Sequence, residues 1–120
     1  MPGQTEALKD RTKQFAIRIV RLFRLLPKTP EARVLGSQVL RAGTSVAANY
    51  RAACRARSKA EFIAKIGVVV EEADETVFWL ELLVETGTVK AERISALLGE
   101  ANELLAIFAA SQRTAKSGNR

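Results

Sequence analysis

The sequence contains no histidine, one cysteine, one tryptophan and one tyrosine. Without histidine, the chain lacks the commonest general base and the commonest metal ligand of proteins. Cys54 has no second cysteine with which to form an internal disulfide or a zinc cluster. We interpret it as a small core or interface residue rather than a reactive thiol. These absences predict a protein that is not an enzyme and has no catalytic residue, metal or cofactor.

Long apolar runs are also missing from the 120 residues. Nothing approaches the roughly 18 consecutive apolar residues of a membrane-spanning helix. The N-terminal residues lack the charged and then apolar pattern of a signal peptide. The sequence therefore predicts one domain, a cytoplasmic location and no membrane partner.

The carboxylates of residues 71–75 raise the question of a metal site. Di-iron sites in helical bundles use Glu-x-x-His pairs, which this chain cannot supply. A purely acidic Mg²⁺ site is the alternative that the residues leave open. We interpret these carboxylates as a solvated acidic face.

Charge divides the chain into two unlike parts. Residues 1–57 carry 12 Lys and Arg against 3 Asp and Glu, whereas residues 58–110 carry 4 against 10. Residues 111–120 add three more basic residues. This division indicates ion pairing within or between subunits, a basic surface for an anionic partner, or both.

Apolar residues recur at three- and four-residue intervals, which is typical of amphipathic helices. The spacing predicts helices over about residues 5–26, 30–57, 58–85 and 88–110, followed by a flexible basic tail over 111–120. Short connections favour antiparallel neighbours. The predicted fold is an all-α, up-down-up-down antiparallel four-helix bundle that forms one domain over residues 1–110.

Helix boundaries are marked by residues with known preferences. Pro27 ends the first predicted helix, and Thr29 is a suitable N-cap for the second. Ser58 and Glu61 form the sequence pattern of a capping box. Gly87 favours the end of the third helix.

The second predicted helix contains an unusual run of small residues around Gly43. A glycine inside a helix costs about 1 kcal/mol relative to alanine, so close approach of another helix should offset that cost. Asn49 falls at a core position, where a lone amide can fix register or oligomeric state. We prefer that role to a catalytic asparagine.

Surplus apolar residues project away from the predicted core, and they predict a subunit interface. On the first and third helices they are Ile17, Leu25, Val68, Phe78, Trp79 and Leu82. The alternative is a monomeric bundle with a broad apolar stripe.

Outward-facing arginines on the first two helices form the candidate surface for nucleic acid. They are Arg18, Arg21, Arg24, Arg33, Arg41, Arg51 and Arg55. Such a surface binds phosphates through counterion release and without reading sequence. The alternatives are pairing of these arginines with the acidic third helix and simple solvation of the bundle.

Residues 38–83 read QVLRAGTSVAANYRAACRARSKAEFIAKIGVVVEEADETVFWLELL. This segment resembles the four-helix-bundle family named for proteins encoded in intervening sequences of 23S ribosomal RNA genes. The densest match comprises Arg41-Ala42, Ser45, Ala48-Asn49, Arg57-Ser58, Phe62 and Glu75. Many members have Glu where this chain has Ala52, which makes the surroundings of Arg51 and Arg55 more positive.

The resemblance implies a left-handed bundle that assembles into a homopentamer. It also implies a relation to the accessory protein of diversity-generating retroelements, a basic pentameric barrel that associates with a reverse transcriptase and nucleic acid. We therefore expect a non-catalytic homo-oligomer, a pentamer, that binds RNA or DNA through basic helix faces. The alternative is a protein-interaction adaptor or scaffold without a nucleic-acid role.

Overall fold

The structure is a computed structural model that describes residues 2–118 as four α-helices with no strand among them. The helices are α1 (Pro2–Leu25), α2 (Pro30–Ala53), α3 (Lys59–Glu85) and α4 (Ala91–Ser117). Consecutive helices pack closely, while α1 and α4 meet less closely than the other neighbours. The bundle measures 50 × 21 × 21 Å. The predicted all-α four-helix bundle is confirmed.

Side-chain caps start α2 and α3 where the sequence predicts them. The Ala32 amide donates to the Thr29 hydroxyl over 3.3 Å, and Pro30 occupies the first position of α2. The Glu61 amide donates to the Ser58 hydroxyl over 3.0 Å. These hydrogen bonds satisfy amides that have no partner within their own helix.

Several helix ends differ from the prediction. α1 starts three residues earlier, α2 ends at Ala53 instead of residue 57, and α4 starts at Ala91 instead of residue 88. Gly87 lies just beyond α3 with φ of +73°, a conformation that favours glycine. The chain therefore uses residues 54–58 and 86–90 as turns between helices.

The predicted tail differs most, because α4 continues as a helix to Ser117. A Cβ atom added to Gly67 would lie 2.9 Å from Gln112 Nε2, so the Gln112 side chain packs directly over α3. Ser111 is half-buried at a cavity that Tyr50 also lines. These contacts hold the last turns of α4 on the bundle. Residues 119 and 120 of the predicted tail lie outside the described residues.

The core runs along the length of the bundle and draws on all four helices. Its largest fully buried apolar side chains are Phe15, Ile19, Val39, Val46, Ile66, Val69, Leu80, Leu83, Leu104 and Phe108. Tyr50 is also buried, and its ring centroid lies 5.0 Å from that of Phe108. Such close packing makes each buried side chain sensitive to changes of size.

Gly43 provides the close helix contact that the sequence predicts. A Cβ atom at Gly43 would lie 2.8 Å from Ile19 Cγ1 on α1. Asn49 is half-buried instead of lying in the core, and its amide donates to the Ser45 carbonyl of its own helix over 2.9 Å. Its role in fixing register or oligomeric state stays a prediction. Its neighbour Tyr50 takes the buried position, since successive helical residues point about 100° apart.

By length and composition α4 is also the one helix of the described residues that could cross a membrane. The core helix of a soluble protein passes the same test. In the bundle, α4 directs Ile94, Leu97, Leu104 and Phe108 into the shared core.

Candidate nucleic-acid interface

The seven arginines predicted to bind nucleic acid do not form one continuous strip. They lie in a groove between α1 and α2 (Arg51, Arg55), in a groove between α1 and α4 (Arg18, Arg21), at the turn from α1 to α2 (Arg24, Arg33) and at the contact of α2 with α3 (Arg41). Each location offers an anionic partner a different surface.

The groove between α1 and α2, hereafter the α1–α2 groove, faces solvent and has a volume of about 680 Å³. It lies where the N-terminal turns of α1 pass the C-terminal turns of α2. Thr44, Ala47 and Ala48 line it together with four basic and two acidic residues, which are Lys9, Lys13, Arg51, Arg55, Glu6 and Asp10. Small α2 residues thus leave an open space beside the long basic side chains.

Three cations of the α1–α2 groove have no ion pair among the described residues. Lys9 Nζ lies 3.0 Å from Glu6 Oε2. Lys13, Arg51 and Arg55 are exposed, and no described carboxylate lies within 4.0 Å of them. The sequence predicts Arg51 and Arg55 as binding residues. Lys13 joins them in one groove because of how α1 packs on α2.

The second groove, hereafter the α1–α4 groove, lies between the C-terminal turns of α1 and the N-terminal turns of α4. Its volume is about 520 Å³. Its basic lining residues are Arg18, Arg21, Lys90 and Arg93, and its large apolar ones are Leu22, Leu25, Leu26, Val89, Ile94 and Leu97. No carboxylate lines it among the described residues. An apolar surface bordered by cations suits a partner that is both apolar and acidic.

Arg41 is exposed, but its guanidinium is paired with carboxylates of α3. Its Nη1 atom lies 3.2 Å from Glu72 Oε1, its guanidinium also donates to Glu75, and its Nε donates to Gln38 over 3.1 Å. Trp79 donates its indole N–H to the same Glu75 over 2.9 Å. For Arg41, the structure therefore shows the alternative interpretation, pairing with the acidic third helix.

Arg11 forms a second ion-pair cluster, which the sequence analysis missed. Its Nε and Nη2 atoms bind the Glu100 carboxylate over 2.8 and 2.9 Å, and it also pairs with Glu103. Donation from Arg11 lowers the pKa of Glu100, because the charged carboxylate is the favoured acceptor. The cluster joins α1 to α4, where the two helices pack least closely.

The six residues predicted as an interface are exposed to different degrees. Leu25 is 73% exposed, Phe78 51% and Val68 38%, while Ile17, Trp79 and Leu82 are half-buried. The rings of Phe78 and Trp79 meet edge to face with centroids 4.9 Å apart. The structure places Leu25 in the α1–α4 groove and the other exposed pair on α3.

The solvent-facing side of α3, hereafter the α3 outer face, combines these apolar residues with carboxylates. It comprises Val68, Glu71, Asp74, Glu75, Phe78, Glu81, Leu82 and Glu85. Residues 66–89 contain no lysine or arginine. Among the described residues, no three potential ligand side chains converge as a metal site. Glu75 is paired with Arg41, and the exposed carboxylates of Glu71, Asp74, Glu81 and Glu85 give this face its negative charge.

Tyr50 lines neither the α1–α2 groove nor the α1–α4 groove, and its ring is buried in the core. Burial raises the pKa of Tyr50 because its charged form is poorly solvated in the core. Cys54 lies beside it, half-buried. The tyrosine ring is therefore not available for stacking on nucleic-acid bases.

Comparisons with known proteins agree on the family. Residues 6–110 match the family model described as 23S rRNA-intervening sequence protein. A crystal structure of a protein of unknown function from the S23 ribosomal protein family of Bacteroides thetaiotaomicron VPI-5482 is similar, with a TM-score of 0.84 and 35% identity. The match covers 92% of this chain and 98% of that chain. No curated protein matches.

Proposed function

This chain belongs to the 23S rRNA-intervening sequence protein family, and we propose that it is a non-catalytic homo-oligomer that binds the phosphate backbone of RNA or DNA. The observation that carries this proposal is the trio of Lys13, Arg51 and Arg55 in the α1–α2 groove. All three are exposed, and none has a carboxylate within 4.0 Å among the described residues. Phosphate oxygens are the natural partners for such cations.

The groove favours recognition of the backbone over recognition of bases. Among the described residues that line it, none has an aromatic side chain on which a base could stack. Thr44 and the alanines beside it offer little hydrogen bonding to base edges. Binding should therefore be independent of sequence and depend on charge, because each phosphate contact releases counterions.

Assembly into a homo-oligomer is the second part of the proposal. The α3 outer face leaves Phe78 half-exposed, and the α1–α4 groove leaves Leu25 largely exposed. Apolar clusters of this kind on a small domain mark interaction surfaces. A homopentamer is the state that the family resemblance implies.

The test compares the wild-type protein with an Arg51→Ala, Arg55→Ala double variant. We expect about tenfold weaker binding of a fluorescent RNA or DNA oligonucleotide, since two charge-assisted contacts are lost. The slope of log affinity against log salt should fall by roughly 1.5 to 2. Fluorescence anisotropy at several salt concentrations gives both values.

An Arg113→Ala variant serves as the control, because Arg113 is exposed on α4 and lines neither groove. Unchanged binding by the double variant, or binding that does not depend on salt, would contradict the proposal. Loss of assembly in the double variant would instead favour the alternative, an adaptor or scaffold whose arginines hold subunits together. Size-exclusion chromatography with light scattering distinguishes these outcomes.

A further inference from the structure

We propose that the α3 outer face of one copy docks into the α1–α4 groove of the next copy. This inference rests on the homo-oligomer of the proposed function, and it names the two surfaces that meet. The two surfaces are different parts of the same chain. Their charge and their apolar residues complement each other.

The first surface supplies apolar residues within a field of negative charge. Phe78 is 51% exposed, and Val68 and Leu82 lie on the same side of α3. Glu71 and Glu85 are exposed on that side, and the whole segment 66–89 lacks a basic residue. An apolar surface with this charge is most stable against a partner that is apolar and basic.

The second surface has the matching chemistry. Leu25 is 73% exposed in the α1–α4 groove, where the half-buried Leu22 and Val89 provide further apolar surface. Arg21, Lys90 and Arg93 are exposed around it. Seating an aromatic ring such as Phe78 among these side chains would remove apolar surface from water, which is the main source of affinity in protein interfaces.

The two surfaces of one chain cannot meet each other. α3 packs against α2 and α4, with Ile66, Leu80 and Leu83 buried in the core. Its outer face points away from that core, whereas the groove lies between α1 and α4. Contact therefore requires a second copy, and each copy offers one surface of each kind. Such a head-to-tail interface builds a closed ring or an open filament.

Charge reversal on each surface tests the proposal. One variant carries Arg21→Glu and Arg93→Glu in the groove, and the other carries Glu71→Lys and Glu85→Lys on α3. We expect each variant alone to assemble at least about tenfold more weakly than wild type, because like charges then face each other. Light scattering after size exclusion, at about 0.15 M salt on nuclease-treated protein, measures assembly.

Restoration is the decisive result. An equimolar mixture of the two variants should associate again, because each reversed surface then meets an opposite charge. The two variants must alternate, so the mixture should form open chains or even-membered rings and not a ring of five. One chain that carries all four substitutions should also assemble. Circular dichroism confirms that every variant is helical. Arg113→Glu and Glu31→Lys, at exposed positions outside both surfaces, are the matched controls and should leave assembly unchanged.

The outcomes separate this inference from the proposed function. A wild-type protein that is monomeric contradicts the homo-oligomer itself, and the groove would then serve a different acidic partner. Wild-type assembly that survives both reversals overturns the two surfaces named above and leaves the homo-oligomer in place. Reversed variants that dissociate, with no restoration by mixing or by the combined chain, also overturn the pairing. Nucleic-acid binding through Arg51 and Arg55 remains measurable in every variant.

Discussion

Individual ion pairs stabilise the contact between α1 and α4, and the pair of Arg11 with Glu100 is the clearest case. We predict that Glu100→Gln lowers the free energy of unfolding by about 1 kcal/mol at neutral pH, the upper range for a partly exposed pair. Two hydrogen bonds from one guanidinium favour that upper range. Urea unfolding of wild type and variant measures the difference.

The same pair predicts a dependence on pH. The pKa of Glu100 is lowered in the folded protein, so its stabilisation is fully present above the unfolded-state pKa of about 4.3. That stabilisation is lost as the pH falls from this value through the folded-state pKa. The difference between wild type and Glu100→Gln should therefore shrink in acid. Asp10→Asn, at an exposed position inside α1 with no ion pair among the described residues, is the control. An undiminished difference between wild type and Glu100→Gln in acid would contradict the prediction.

Two glycines inside helices should respond to alanine in opposite ways. Gly43→Ala places a Cβ atom 2.8 Å from Ile19 in the core, and overpacking costs about 1–3 kcal/mol. Gly99→Ala meets nothing within 4 Å and should gain up to about 1 kcal/mol from helix propensity. We therefore expect Gly43→Ala to destabilise the protein and Gly99→Ala to stabilise it. Thermal unfolding of both variants checks the signs, and stabilisation by both would contradict the close contact.

At the scale of elements, the side-chain N-cap of α3 makes its own contribution to the stability of the protein. We predict that Ser58→Ala destabilises the protein by about 1 kcal/mol, because the Glu61 amide loses its acceptor. Ser58→Asp should retain most of the stability, since a carboxylate also accepts this hydrogen bond and favours a helix N-terminus. Chemical denaturation compares the variants. Equal losses in both would mean that the hydroxyl has a different role.

The C-terminal turns of α4 provide a test of helix length. We predict that the amides of residues 111–114 exchange slowly with solvent, because Gln112 packs over Gly67 and holds these turns on α3. The first amides of α3, at Lys59 and Ala60, have no partner within the helix and give a fast internal reference. Hydrogen exchange followed by NMR measures both. Exchange of residues 111–114 as fast as the reference would support the flexible tail that the sequence predicts.

Periodicity and caps were sufficient to predict the four helices, because both depend on residues close together in the chain. They were not sufficient for the last turns of α4, since the contact of Gln112 with α3 depends on tertiary packing. The site shows the same limit. Outward positions of arginines could be predicted, but the partners of Arg11 and Arg41 lie on other helices. The pairs that form depend on the rotation of each helix about its own axis in the packed bundle, because this orientation decides which side chains of two helices face each other.

At the scale of the whole molecule, the basic first half and the acidic second half of the sequence are partly paired with each other and partly exposed on separate surfaces. Part of it is internal, since Arg41 pairs with Glu72 and Glu75 across α2 and α3. The remainder leaves basic grooves on one side and the acidic α3 outer face on another. The family is established by the comparisons. The pentamer and the relation to retroelement accessory proteins remain predictions.

Assembly should also control how the protein binds nucleic acid of different lengths. The α2 part of one α1–α2 groove covers residues 44–53, about 15 Å of helix, or roughly four base pairs of B-form DNA. Neighbouring copies that present the same groove would engage one long strand together, which raises apparent affinity by about 10²–10⁴. We therefore predict that wild-type protein prefers long oligonucleotides strongly over short ones.

The Glu71→Lys, Glu85→Lys variant isolates the effect of assembly, because it leaves the α1–α2 groove intact. The two substitutions add positive charge, so short oligonucleotides should bind at least as tightly as they do to wild type, whereas the preference for long ones should largely disappear. Anisotropy titrations with oligonucleotides of increasing length, at fixed salt, measure that preference. A dissociated variant that retains the full length preference would contradict the prediction, because avidity from neighbouring copies would then not be its cause.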